Sequence, residues 1–144
     1  MAIENPDRDE LKRILSNNRR IAVVGLSDQP ERSSYGVAKA MKAAGYEIIP
    51  VNPNIDATLG IQAVDSLEAI EGHVDIVNVF RRSEHLPDLA AQTVKIGADV
   101  FWAQPGVTHE EAYDYLKANG VKVIMDRCIK VEHSMTGASP HPHG

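Results

Sequence analysis

The 144-residue chain predicts an α/β fold, a single doubly wound domain built on a mainly parallel, five-stranded sheet. Three observations carry this. The apolar run Ile21-Ala22-Val23-Val24 is too continuous for a half-wet strand, so it belongs in a sheet covered on both faces. The segments between them place apolar residues at helical spacing. Strand and helix then alternate with no repeat and no linker, as parallel strands joined by helical crossovers require.

The elements follow in order. Asn5 is expected to cap a first helix within residues 1–18, with Pro6 in its first turn and Leu11, Ile14 and Leu15 on one face. The first strand, Ile21–Val24, ends at Gly25 and a polar loop. A second helix spans about Ser34 to Ala44, with Val37, Ala38 and Met41 inward and Gly45 stopping it. Tyr46–Val51 forms the second strand, closed by Asn52-Pro53-Asn54. Residues 55–73 are less regular, and Asp65-Ser66-Leu67-Glu68 has the pattern of a capping box before a short helix to Ile70. Val74–Phe80 is the third strand, Pro87–Ile96 a helix stopped by Gly97, and Ala98–Trp102 the fourth strand. Thr108 and Glu111 form a capping box for a helix through Ala118, and Val121–Met125 is the last strand.

Composition bounds the function. A formal net charge of −5 argues against general nucleic-acid binding, because neutralising phosphates is the largest sequence-independent term in such affinity. The single cysteine, Cys128, excludes an internal disulfide framework and a CxxC zinc site, and suits a reducing, cytoplasmic location. No apolar run is long enough to span a bilayer, and Met1–Asp7 lacks the shape of a signal peptide. His73, His85 and His109 are scattered, and His109-Glu110-Glu111 lacks the second histidine of a zinc-protease helix, so no metal is expected.

In doubly wound sheets, ligands bind beyond the carboxyl ends of the strands, where strand order reverses. The residues there are Gly25-Leu26-Ser27, Asn52-Pro53-Asn54, Phe80-Arg81-Arg82, Gln104-Pro105-Gly106 and Asp126-Arg127-Cys128, rich in amides, arginines and glycines. Gly25 lets backbone amides approach a ligand, Ser27, Ser33 and Ser34 can donate to phosphate oxygens, and Arg32 can neutralise their charge. A valine at position 25 is therefore expected to cost binding more than folding. The dinucleotide glycine fingerprint is absent, since Ser27 stands where its second glycine belongs. Nor does the second strand end in the carboxylate that would accept NAD ribose hydroxyls; Val51-Asn52-Pro53 suits a phosphorylated ribose, as in NADP or coenzyme A.

The chain resembles the small stand-alone CoA-binding proteins related to the amino-terminal domain of the succinyl-CoA synthetase alpha subunit. The matching segments include Val23-Val24-Gly25-Leu26-Ser27, Pro30–Val37 with Tyr35 and Gly36, Ile49-Pro50-Val51-Asn52-Pro53, Val79-Phe80-Arg81, Trp102-Ala103-Gln104-Pro105-Gly106 and Val123–Cys128, within residues 10–133. The resemblance implies a Rossmann-like domain binding CoA or an acyl-CoA, its nucleotide end over the first glycine loop and the second-strand turn. The implied contact set is Gly25, Ser27, Arg32, Ser33, Ser34, Tyr35, Asn52, Pro53, Phe80, Arg81, Gln104 and Gly106. Relatives carry a lysine shortly after the second-strand proline, whereas this chain has Asn54 and Ile55, leaving Arg32 and Arg81 as the main cations.

Non-catalytic CoA binding is the expected function, with any protein partner unknown; the alternative is an NADP-dependent oxidoreductase on the same fold. Cys128, beside Arg127, is the one candidate for covalent chemistry, although a lone cysteine is more often a small buried apolar residue. Phe101 and Trp102 are read as core. Residues 134–144, ending Ser139-Pro140-His141-Pro142-His143-Gly144, are expected to form a disordered tail.

Overall fold

The computed structural model describes residues 3–140. In chain order it contains α1 (Arg8–Asn17), β1 (Arg20–Val24), α2 (Ser33–Ala43), β2 (Glu47–Val51), β3 (Ala57–Thr58), β4 (Ile61–Gln62), β5 (Ile76–Val79), α3 (Leu86–Lys95), β6 (Val100–Ala103), α4 (Glu110–Ala118), β7 (Lys122–Ile124) and α5 (Ile129–Thr136). The main sheet has the order β2-β1-β5-β6-β7, and every pairing in it is parallel. The expected α/β sheet is therefore present, and it is wholly parallel. Because the chain steps one way from β1 to β2 and later returns to β5 on the other side of β1, strand order reverses between β1 and β5.

The continuous apolar strands are explained by what covers them. Ile21 and Val23 of β1 face α1, α2 and α5 in one core, together with Leu15, Met41, Trp102 and Ile129. Ala22 and Val24 face α3 and α4 in the other, with Leu89, Phe101 and Leu116. Phe101 and Trp102 are fully buried, in agreement with the core reading, and the Trp102 indole donates to the Arg127 carbonyl (2.9 Å), fixing the chain that leaves β7. At the amino ends of the strands the Asp75 carboxylate accepts from the amides of Arg19 and Arg20, both at 2.8 Å.

Several local expectations are corrected. Asp7, not Asn5, caps α1, its Oδ1 accepting from the Glu10 amide. Asn5 instead clips the last strand: its side chain donates to the Met125 carbonyl (2.8 Å) and accepts from the Met125 amide (2.9 Å). His109 replaces Thr108 as the cap of α4, with Nδ1 accepting from the Ala112 amide. Leu67–Ala69 forms a single 3-10 turn with no side-chain cap, and Ile70 is already extended. Residues 55–73 also hold the antiparallel β3–β4 hairpin, and the chain after it runs beside β2: the Val64 amide donates to the Pro50 carbonyl, and the Asn52 amide to that of Val64, both at 2.9 Å.

The carboxyl-terminal boundary also moves. Helix α5 runs past residue 133 to Thr136 and is closed by left-handed Gly137, while Ile129 and Ala138 are buried in the core shared with α1 and α2. The expected disorder from residue 134 is thus overturned through Ala138, and residues 141–144 lie outside the described residues.

Tyr46 ties this face together. Its hydroxyl donates to the Leu15 carbonyl at 2.6 Å, and its ring meets that of His133 edge-on at 5.6 Å. Burial pushes the phenol up to about 12, from an ordinary value of 10.0. The unfolded chain loses this proton first as pH rises, so the contribution of Tyr46 to stability is complete below pH 10.0 and is lost as the pH climbs towards 12. Ultraviolet titration of tyrosinate, native against urea-unfolded, should show one phenol ionising late only in the folded protein. Coincident curves would contradict the assignment.

Candidate ligand-binding site

A cleft of ≈ 830 Å³ opens at the carboxyl edge of the sheet, at the reversal between β1 and β5. Its lining comes from the loop after β1 (Gly25, Ser27, Asp28, Gln29), the start of α2 (Arg32, Ser33, Ser34, Val37), the turn after β2 (Asn52, Asn54, Ile55), Phe80 after β5, Gln104, Pro105 and Val107 after β6, and Cys128 before α5.

The loop is held by its own polar groups. Gly25 sits at φ +84°, and its amide donates to the Val51 carbonyl at 2.9 Å. A Cβ built on Gly25 would lie 2.6 Å from the Phe80 carbonyl oxygen, so glycine is demanded by the approach of β1 and β5. This contact sets a backbone folding cost against the expectation that a valine there costs binding more than folding. Buried Ser34 accepts from the Ser27 amide (3.0 Å), and the Ser27 hydroxyl accepts from the Gln29 amide (3.0 Å). From outside the loop, Asn52 donates to the Leu26 carbonyl and Thr58 of the hairpin to the Ser27 carbonyl, each at 3.0 Å. The Asn52 Oδ1 also accepts from the Asn54 amide (2.9 Å), closing the second-strand turn. Ser27, Ser34 and Asn52 therefore shape the site first, and each hydroxyl keeps a proton to donate.

What this frame leaves free is suited to an anion. The amides of Ser33 and Ser34 open α2 and have no acceptor among the described residues, since backbone pairing begins with Tyr35 and Gly36 donating to Arg32. Arg32 is exposed at the helix N-cap with no carboxylate partner among the described residues. Arg32 is the only cationic residue in the lining, and exposed Asp28 the only acidic one.

Gln104 supplies a different kind of group. It is 6% exposed, and its Oε1 accepts from Asn78 Nδ2 (2.9 Å) and from the Ile129 amide (3.4 Å). Two donors on one oxygen fix the orientation of the amide, which leaves Nε2 of this cleft-lining residue without an acceptor among the described residues. A ligand with a carbonyl or other acceptor at that point would satisfy it.

Of the residues expected at the site, Gly25, Ser27, Arg32, Ser33, Ser34, Asn52, Phe80 and Gln104 line the cleft together. Pro53 and Arg81 do not; they line a smaller cavity of ≈ 200 Å³ against α3, with Asp65, Leu67 and His85. Tyr35 and Gly106 line neither. The apolar walls Val37, Ile55 and Val107 were not expected, although Val37 lies one helical turn beyond Ser33-Ser34 and was legible as a neighbour on that ground.

Comparison with known proteins gives a consistent picture. A family model described as "CoA binding domain" matches residues 19–134. The chain is 59% identical over 134 residues to the uncharacterized protein YneT of Bacillus subtilis (strain 168), covering 93% of this chain and 99% of that one. It is 38% identical over 127 residues to the acetate–CoA ligase [ADP-forming] II subunit alpha of Pyrococcus furiosus, covering 80% of this chain but only 28% of that subunit. A solved structure of a hypothetical protein from Pyrococcus horikoshii OT3 superposes with a TM-score of 0.89 at 28% identity, over 96% of this chain and 100% of the other.

Proposed function

Because the chain belongs to the CoA-binding domain family, we propose that it binds coenzyme A in the cleft between the ends of β1 and β5. The observation that carries this reading is the unpaired anion-binding group at one end of that cleft: the free amides of Ser33 and Ser34 beside Arg32. Phosphates of the ligand sit there, and the apolar walls Val37, Phe80 and Val107 take its pantetheine arm. Among the described residues that line the cleft there is no tyrosine, lysine or histidine to move a proton, which supports a binding role over an NADP-linked oxidoreductase.

Calorimetric titration with CoA, NADP and NAD tests the reading. CoA should bind, and NAD, which carries no ribose phosphate, should bind at least about tenfold more weakly. Equal heats for NAD, or none for CoA at millimolar concentration, would refute it.

Asn54 offers a second test. It is exposed on the lip of the cleft, where the resembling proteins carry a nearby lysine. Asn54→Lys should tighten CoA several-fold, an exposed ion pair being worth about 0.2–1 kcal/mol, and the gain should fade in high salt. An unchanged affinity would show that the phosphates lie out of reach of this turn.

A further inference from the structure

Cys128 lines the same cleft as Arg32, and it is reduced and half-buried at the N-cap of α5. Beside it stands Gln104, 6% exposed, whose Nε2 has no acceptor among the described residues and whose Oε1 is bonded to the amide of Ile129, the residue after Cys128. A nucleophilic sulfur and a fixed amide donor on residues lining one cleft are the two groups that acyl transfer needs. Both are held from behind. Trp102 pins the Arg127 carbonyl, and Asn78, 1% exposed, anchors Gln104 while also donating to the Trp102 carbonyl at 3.2 Å.

We propose that Cys128 accepts the acyl group of a bound acyl-CoA, an inference that rests on the CoA reading of the cleft. The Cys128 thiolate attacks the thioester carbonyl carbon, and Gln104 Nε2 donates to the oxygen that gains charge. The bond from that carbon to the CoA sulfur breaks, leaving the acyl group on Cys128. CoA departs as its thiolate and takes from water a proton equivalent to the one Cys128 released. One thioester replaces another, so no oxidant or reductant is consumed, and the step runs backwards when CoA is in excess. The acylated fraction therefore follows the ratio of acyl-CoA to CoA, and the protein registers that ratio covalently.

Intact-protein mass spectrometry after incubation with acetyl-CoA tests this, with calorimetric CoA titration of the same preparation. One acetyl group should appear, map to Cys128, saturate with acetyl-CoA and be stripped by added CoA. It should form at least about tenfold faster than with the acetyl thioester of N-acetylcysteamine at equal concentration, because only the full ligand is positioned by its phosphates. Cys128→Ser should carry no acetyl thioester. Gln104→Leu should slow acylation by about a hundredfold, as loss of an oxyanion donor does; should that variant fail to fold, the comparison of the two thioesters decides the matter by itself. Equal rates with both thioesters, or no acetyl group at Cys128 in protein that binds CoA, would overturn the proposal. Absence of CoA binding in the calorimeter would overturn the reading of the cleft, and this step with it.

Discussion

Replacing Gly25 by valine is expected to lower the melting temperature by on the order of 10 °C, the larger loss being in the fold rather than in ligand affinity. Two costs combine. A β-branched residue at φ +84° is strained by about 1–3 kcal/mol, and its Cβ must push against the Phe80 carbonyl oxygen, 2.6 Å away, for roughly as much again. The obstacle is backbone, so it cannot swing aside as a side chain would. Such a sum is a large part of the about 5–15 kcal/mol that separates folded from unfolded domains. Urea melts of Gly25→Ala and Gly25→Val should show the loss growing with side-chain size. A valine variant that melts with the parent protein would mean that β1 and β5 can separate at this point, contrary to the geometry.

Arg32→Ala is expected to weaken CoA binding by about tenfold while leaving the melting temperature within about a degree. The arginine makes no ion pair among the described residues, so the fold loses nothing measurable with it. A charge-assisted hydrogen bond to phosphate is worth about 1.5–3 kcal/mol, and its exposure puts Arg32 at the lower end of that range. Exposed Asp28 lies in the same lining and repels the same phosphates. The deficit should therefore shrink as salt rises, because screening removes the attraction that the alanine lacks. Calorimetry of both proteins at low and high ionic strength measures this, and parental affinity in the variant would exclude Arg32 from the phosphate site.

The sheet was legible because a strand buried on both faces has to be apolar at nearly every position, and Ile21–Val24 and Ile76–Val79, interrupted only by the hydrogen-bonded Asn78, leave little else to read. The caps were less legible because neighbouring residues compete: Asn5 and Asp7 can both cap a helix, and only tertiary structure shows that Asn5 is engaged by Met125, far along the chain. Helix α5 was hidden because its anchors, Ile129 and Ala138, flank a segment with polar and exposed residues, so no clear apolar stripe announces it. At the site the same limit has a period of two. Successive residues leaving a strand point to opposite faces, which sends Phe80 and Asn52 into the large cleft and Arg81 and Pro53 into the cavity against α3. Sequence placed all four at the correct edge of the sheet. It could not say on which side of β1 each would fall, and the unpaired donor on Gln104 emerges only once Asn78 and Ile129 are seen to claim its oxygen.

The two clips on the outer strands bear on how copies of this chain can meet. An open parallel sheet ends in two rows of backbone groups, each a template on which a foreign strand can grow into a fibre or exchange with a neighbour. Here one margin is occupied at Pro50 and Asn52 by the returning chain at Val64, and Pro50 has no amide to offer. The other margin is short, and the Asn5 side chain mimics a strand by satisfying both the amide and the carbonyl of Met125. Propagation through the backbone must first evict one of these residents. The weaker guard is the Asn5 side chain, held to Met125 by two hydrogen bonds near the amino terminus. Release of Asn5 from Met125 would uncover these backbone groups for strand addition, so this one side chain acts as a safeguard beside the last strand.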